Sequence, residues 1–100
     1  MIKRIVLFSL RKDISKRSFE CLMRYFEYVA NNVDGVVGFE YGENVSHDDE
    51  RAEYTHCAVI SFRSLMAKEM YLICGDYHRL RERLCLAASN IAIAEIDVSG

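Results

Sequence analysis

The start of the chain decides the fold, because residues 2–10 have the sequence IKRIVLFSL. Its richness in Ile, Val, Leu and Phe predicts a β-strand. Side chains alternate between the two faces of a sheet, and both faces of this strand are apolar. One face carries Ile2, Arg4, Val6 and Phe8. The other face carries Ile5 and Leu7. A sheet built on this strand must therefore be covered on both sides.

The remainder of the chain alternates between helix and strand patterns. Apolar residues at spacings of three and four predict helices, and short apolar runs bounded by polar or glycine residues predict strands. After the first strand the pattern predicts a helix capped by Asp13 and ending near Gly35, and then a strand at 36–41. A polar loop at 43–53 leads to a strand at 54–62. The rest of the chain is predicted as a helix opened by Ser64 and stopped by Gly75, a helical segment capped by Asp76 with Tyr77, Leu80 and Leu84 on one stripe, and a strand at 91–98.

This β-α-β-β-α-β order predicts one domain over residues 1–100. Its natural arrangement is the ferredoxin-like α+β fold, a four-stranded antiparallel sheet with the helices on one face. The predicted strand at 54–62 is also apolar on both faces, with Cys57 and Val59 opposite Ala58 and Ile60. Helices cover only one face, so we expect a second copy of the chain to cover the other and form a homodimer.

Composition restricts the classes of partner. The chain has 13 basic and 15 acidic residues and a net charge of −2, which gives no basic face for a nucleic acid. No run approaches the roughly 20 apolar residues of a membrane span. The four cysteines are scattered inside apolar segments, as reduced core cysteines are, so we expect a cytoplasmic protein. The sequence contains no histidine or cysteine spacing typical of a metal site and no cofactor-binding motif.

Several landmarks follow one another along the chain. They are MIKRIVLF at 1–8, YGENVS at 41–46, YTH at 54–56, FRS at 62–64, and then Tyr71 and His78. In this order and spacing the chain resembles the stress-responsive α/β-barrel domain family over essentially its whole length. The resemblance implies a dimeric α/β barrel with a pocket between the sheet and the helices of each protomer. Many members of this family have no assigned activity, and one plant member is a polyketide cyclase.

The resemblance also implies which residues line the pocket, namely Arg4, Phe26, His56, Tyr71 and His78. In the plant cyclase the corresponding residues are histidines on the first and third strands, a tyrosine on each helix and a histidine after the second helix. His56, Tyr71 and His78 match, with one extra residue between Tyr71 and His78. Arg4 stands in place of a histidine and Phe26 in place of a tyrosine.

Tyr71 and His78 are the candidate catalytic pair. His78 is predicted in the first turn of a helix, where the helix dipole disfavours imidazolium, so a neutral ring could accept a proton. Tyr71 could share that proton or orient a carbonyl group. Alternatively, both side chains only cap the core at a helix break. His56 likewise is either a hydrogen-bonded structural histidine or a catalytic one.

Arg4 lies on an apolar strand face, where an unpaired charge is prohibitive. It is therefore either paired internally, with Glu95 or Asp97 on the last strand, or placed at a pocket where it holds an anionic or enolate-like group. Three functions remain open: a binding protein for a small apolar or aromatic ligand, a cofactor-free lyase or cyclase, and a structural dimer. In the last, large side chains such as Phe8, Phe19 and Phe26 fill the core.

Overall fold

The computed structural model describes residues 1–46 and 54–99, and these form four strands and three helices. In chain order the elements are β1 (Ile2–Leu10), α1 (Lys16–Asn31), β2 (Val36–Glu43), β3 (His56–Phe62), α2 (Leu65–Ile73), α3 (Gly75–Ala87) and β4 (Ala88–Asp97). The sheet is antiparallel throughout, with strand order β2-β3-β1-β4. The predicted ferredoxin-like α+β fold is confirmed, and the two strands with two apolar faces lie at its centre.

The helix starts are set by small side chains that accept backbone hydrogen bonds. The hydroxyl of Ser64 accepts from the amide of Ala67 at 3.2 Å, which confirms the predicted start of α2. The prediction that Asp13 caps the first helix is wrong. Ser15 is the cap, and its hydroxyl accepts from the Ser18 amide at 3.1 Å. A serine two residues nearer the helix satisfies one of the free amides of the first turn.

The boundary between α2 and α3 also differs from the prediction. Cys74 ends α2 and caps α3, with its sulfur accepting from the Tyr77 amide at 3.4 Å. Gly75 is the first residue of α3 and does not stop α2, and Asp76 lies inside the first turn, where it pairs with Arg79 at 2.7 Å. α3 therefore begins two residues earlier than predicted, and its predicted inward stripe of Tyr77, Leu80 and Leu84 is unchanged.

Three other boundaries shift by a few residues. The predicted polar loop begins after Glu43, which is the last residue of β2, and its residues 47–53, including His47, lie outside the described part of the chain. The strand predicted at 54–62 begins at His56. The last strand begins at Ala88, three residues before the predicted start, because it continues directly from α3.

The core lies between the helices and one face of the sheet. Val6 and Phe8 on β1 and Ala58 and Ile60 on β3 are buried there against the inner faces of the helices. Gly35 makes the turn from α1 into β2 with a φ of 92°, and a Cβ at this position would lie 2.5 Å from the Cβ of Ala67. Only glycine allows α2 to pack this closely on that turn.

Within residues 1–46 and 54–99, no helix packs on the opposite face of the sheet. Ile5 and Leu7 on β1 and Cys57 and Val59 on β3 are half-buried by their own neighbours only. Val59 lies at the middle of this surface, which we call the open face, between Ile5 on one side and Glu40 on the other. No helix in the described part of the chain is long and apolar enough to cross a membrane.

Candidate functional site

A cavity of about 230 Å³ lies between the sheet and the helices. Its walls are formed by β1, β4, α3 and one residue each of α1 and α2. Three of the five predicted pocket residues line it, namely Arg4, Phe26 and Tyr71. The apolar part of the lining consists of Val6, Phe26, Leu80, Leu84, Ile91 and Ile93. The structure therefore brings the β1, α1 and α2 members of the predicted set together.

Helix α3 supplies one wall through a single stripe. Tyr77, Leu80 and Leu84 are spaced three and four residues apart and face the core, as the sequence predicts. Arg81 and Cys85, which directly follow Leu80 and Leu84, widen this stripe on one side and also line the cavity. Their side chains are exposed at its edge. The phase of this helix therefore decides which polar groups the cavity receives.

Arg4 is buried and has two hydrogen-bond partners. Its Nη1 donates to Glu95 Oε2 at 2.9 Å, and its Nη2 donates to the hydroxyl of Tyr77 at 2.8 Å. Glu95 is the residue directly opposite Arg4 in the register of β1 and β4. The prediction that Arg4 pairs with an acidic residue of the last strand is confirmed, and Arg4 also lines the cavity, so the two interpretations of this arginine are compatible.

Glu95 joins Arg4 to helix α2. Its second oxygen accepts from Lys68 Nζ at 3.1 Å, and Lys68 also lies 3.4 Å from Glu69. Burial disfavours the charged carboxylate, yet the hydrogen bonds from Lys68 and Arg4 outweigh it and hold the pKa of Glu95 below its ordinary value. Glu95 is therefore ionised at neutral pH and balances the charge of Arg4.

Tyr71 contributes a buried hydroxyl to the cavity wall. Its side chain is fully buried, with its ring 5.3 Å from that of Phe62 and 5.0 Å from that of Tyr77. Within the described residues its hydroxyl has no hydrogen-bond partner. Burial raises the pKa of this hydroxyl, the charge of Arg4 opposes the shift, and Tyr77 and Cys74 add to it. Tyr71 therefore stays protonated and can donate a hydrogen bond.

His56 lies at the start of β3, away from this cavity. Its ring stacks on Phe8 at 5.5 Å, contacts Phe19 at 4.7 Å, and its Nδ1 lies 2.7 Å from the hydroxyl of Thr55. Burial lowers the pKa of His56, and the carboxylate of Glu43 offsets this only in part. His56 is thus a packed and hydrogen-bonded histidine, and it is not among the residues that line the cavity.

His78 does not join the predicted set. Its side chain is exposed, and the residues that line the cavity do not include it. Neither a hydrogen bond nor a ring contact joins it to Tyr71 among the described residues; Tyr77 contacts both rings, at 5.0 and 5.8 Å. The reason is its place on α3: Tyr77, Leu80 and Leu84 form the stripe that lines the cavity, and His78, the residue after Tyr77, faces solvent. The inward position beside Tyr71 belongs to Tyr77.

A family model for the stress responsive A/B barrel domain matches residues 2–98. The chain belongs to that family. A search of curated protein sequences finds no significant match. Within residues 1–46 and 54–99, no group of three or more His, Cys, Asp or Glu side chains is arranged to hold a metal ion.

Solved structures share the A/B-barrel fold at low sequence identity. The Arabidopsis thaliana protein At3g17210 has a TM-score of 0.89 at 18% identity and covers 100% of this chain and 97% of its own. The hydroxynitrile lyase of Passiflora edulis has a TM-score of 0.86 at 12% identity, covering 98% and 93%. A dimeric ferredoxin-like protein of unknown function from Jannaschia has a TM-score of 0.84 at 16% identity, covering 97% and 98%. These similarities establish the fold, and they assign no activity.

Eight residues that line this A/B-barrel cavity are not among those predicted for it, and three of the eight carry polar groups: Tyr77, Arg81 and Cys85. A signal for them exists in the sequence, since Tyr77 belongs to the predicted apolar stripe of the last helix and Arg81 and Cys85 follow it at intervals of four. The stripe indicates burial against the core, and it does not indicate that the core is incompletely filled at this place.

Proposed function

We propose that this A/B-barrel protein binds one small apolar or aromatic molecule in the cavity between its sheet and helices, without turnover. The observation that carries the proposal is the cavity itself, which stays open although the side chains around it are packed. An engineered apolar cavity of about 150 Å³ accommodates benzene. At about 230 Å³, this cavity has room for one aromatic ring with a short substituent.

The filled-core alternative is less well supported. The large side chains that could fill the space are Phe8, Phe19, Phe26 and Tyr71. Phe19 is partly buried, and the other three are fully or almost fully buried. Phe26 and Tyr71 are nevertheless part of the cavity wall. The space therefore remains after the largest available groups have been placed.

A lyase or cyclase using Tyr71 and His78 lacks support from the site. A general base must lie within hydrogen-bond reach of the proton it removes, directly or through one water. His78 is exposed and outside the cavity lining, so it has no described route to a molecule held beside Tyr71. We therefore propose Arg4, Phe26 and Tyr71 as ligand contacts and assign no catalytic role to the histidines.

We also propose that the chain works as a homodimer paired through the open face. Four apolar residues of the two central strands meet there without a helix to cover them, and similar solved structures are described as dimeric. Each large apolar side chain left in water forgoes about 1.5–3 kcal/mol, so a second copy is a strong stabiliser. In this proposal the residues form one domain that binds neither a nucleic acid nor a membrane. The four free cysteines fit a cytoplasmic location.

Saturation-transfer NMR with toluene as the probe tests ligand binding. We expect toluene to bind the wild-type protein and to shift the methyl resonances of Leu80 and Leu84. Cys85→Phe, which places a ring at the edge of the cavity, should abolish binding. Cys21→Phe is the matched control, because Cys21 is an exposed cysteine that does not line the cavity, and it should bind normally. Toluene binding that ignores Cys85→Phe, or no binding at all, would contradict the proposal.

A further inference from the structure

We infer that the polar end of the cavity is a carboxylate subsite, so that the ligand is a small apolar acid bound as its anion. This inference rests on the proposed function, because it specifies the chemistry of the molecule that the cavity takes. It is carried by three features of the cavity wall in the described part of the chain: a buried hydroxyl without a partner, a second hydroxyl whose proton has no acceptor, and an arginine at the cavity edge without a carboxylate partner.

The unpartnered hydroxyl belongs to Tyr71. A buried hydroxyl without a partner is destabilising, and native structures rarely retain one unless something else satisfies it. The Tyr71 side chain is fully buried and forms part of the cavity wall, so a group inside the cavity is positioned to accept its proton. The Tyr71 ring lies 5.0 Å from that of Tyr77, whose hydroxyl binds Arg4, so Tyr71 belongs to the Arg4 end of the cavity.

The second donor is Tyr77. Its oxygen accepts a hydrogen bond from Arg4 Nη2 at 2.8 Å, so the lone-pair side of the hydroxyl faces the guanidinium. Its own proton then points elsewhere, and no acceptor for it is found among the described residues. The rings of Tyr71 and Tyr77 lie 5.0 Å apart, so two hydroxyl protons are available in one neighbourhood. An acceptor with two oxygens matches this pair.

The charge balance of the cavity is positive. Arg4 is paired with Glu95, and Lys68, which also contacts Glu95, has Glu69 as a further partner. Arg81 lines the cavity, and within residues 1–46 and 54–99 it has no ion-pair partner. Because Arg81 lies one helical turn after Tyr77, its charge is on the same side of α3. A carboxylate would be attracted to this end, whereas a neutral ligand gains nothing from Arg81.

The rest of the cavity limits the acid to a small apolar one. Beyond the polar end its walls are aliphatic or aromatic, from Val6, Phe26, Leu80, Leu84 and the isoleucines of β4. The volume of about 230 Å³ accommodates one substituted ring or a branched chain of similar size. The class is therefore monocyclic aromatic or short branched aliphatic carboxylates.

A matched pair of probes separates the carboxylate from the apolar body. Benzoate and nitrobenzene have nearly the same shape, but only benzoate is charged. We expect benzoate to bind at least about tenfold more tightly by NMR titration, since hydrogen bonds to a charged acceptor are stronger. Tyr71→Phe and Arg81→Gln should each weaken benzoate about tenfold and leave nitrobenzene nearly unchanged.

The controls are residues of the same type elsewhere on the surface. Tyr28→Phe and Arg79→Gln change an exposed tyrosine and an exposed arginine outside the cavity lining, and both should leave benzoate binding intact. If nitrobenzene binds as tightly as benzoate, or the two variants weaken both probes equally, the carboxylate subsite is wrong while the ligand cavity stands. If neither probe nor toluene binds, the proposed function itself is wrong.

Discussion

Arg4 on β1 and Glu95 on β4 are opposite each other in the strand register and are joined by an ion pair of 2.9 Å between Nη1 and Oε2. This pair ties a central strand to an edge strand at the polar end of the cavity. It also explains how an arginine occupies an otherwise apolar sheet face: the charge is neutralised by the neighbouring strand, and Tyr77 accepts a further hydrogen bond.

Arg4→Met should destabilise the protein by about 1.5–3 kcal/mol, the usual range for a hydrogen bond to a charged group. The loss should fall short of the roughly 3–5 kcal/mol seen when a buried pair is broken, because Glu95 keeps Lys68 and part of its hydration. Urea unfolding at a fixed protein concentration measures the change. Arg79→Met, which breaks an exposed pair with Asp76, is the control and should change stability by at most about 1 kcal/mol.

The stability difference between wild type and Arg4→Met should also depend on pH, because Glu95 titrates. The folded-state pKa of Glu95 lies below its unfolded value of 4.5, so the stabilisation is complete above that pH and is lost as the pH falls through the folded value. The difference between wild type and Arg4→Met should therefore shrink in strong acid. A difference that stays constant down to pH 2 would show that Arg4 stabilises by packing alone.

Tyr71→Phe and Tyr77→Phe should have opposite effects on the ligand-free protein. Removing the Tyr71 hydroxyl deletes a buried group without a partner, so stability should rise by about 1 kcal/mol or stay unchanged. Removing the Tyr77 hydroxyl leaves Arg4 Nη2 without its acceptor, so stability should fall by about 1 kcal/mol or more. Thermal unfolding of the two variants side by side decides, and a clear loss of stability in Tyr71→Phe would mean that its hydroxyl has a partner.

His56→Gln should flatten the loss of stability between pH 7.5 and about pH 5. The folded-state pKa of His56 is below its ordinary 6.5, so the unfolded chain binds the proton more readily. The stabilisation is therefore complete above pH 6.5 and is lost as the pH falls through that value toward the folded one. His78→Gln is the control for the substitution itself, because it replaces an exposed histidine that does not contact Phe8 or Phe19. Unfolding midpoints that fall equally in wild type and His56→Gln would contradict the assignment.

Val59→Lys should convert the proposed dimer into a monomer, because it places a charge at the middle of the open face. Sedimentation at low micromolar concentration should give roughly twice the chain mass of 11.6 kDa for wild type and the single-chain mass for the variant. Leu86→Lys, at an exposed leucine of α3, should remain dimeric. A wild-type protein that sediments as a monomer would refute pairing through the open face.

The fold could be predicted because several independent features of the sequence indicate it. The apolar density of β1 and β3 on both faces indicates central strands. Strand alternation places Arg4 on the helix face, and the ferredoxin-like strand order places β1 beside the last strand. A salt bridge to Glu95 or Asp97 is then one of two interpretations of this charge, the other being a role at a ligand pocket, and neither needs the register.

The site could be predicted only in part, because it depends on quantities that a residue pattern does not contain. The resemblance places His78 in the pocket, although the apolar stripe of α3 already indicates that Tyr77, one residue earlier, faces the cavity. Whether side chains fill the space beside Phe26 depends on summed volumes across five elements. Neither spacing nor composition reports such a sum.

A crystal structure of the protein with toluene diffused into the crystal tests the central claim most directly. The account predicts one toluene molecule in the cavity, in contact with Val6, Leu80 and Ile93, with the side chains of Phe26 and Tyr71 in their present positions. A cavity that is closed by a rearranged Phe26 or Tyr71, with no toluene between the sheet and α3, would contradict it.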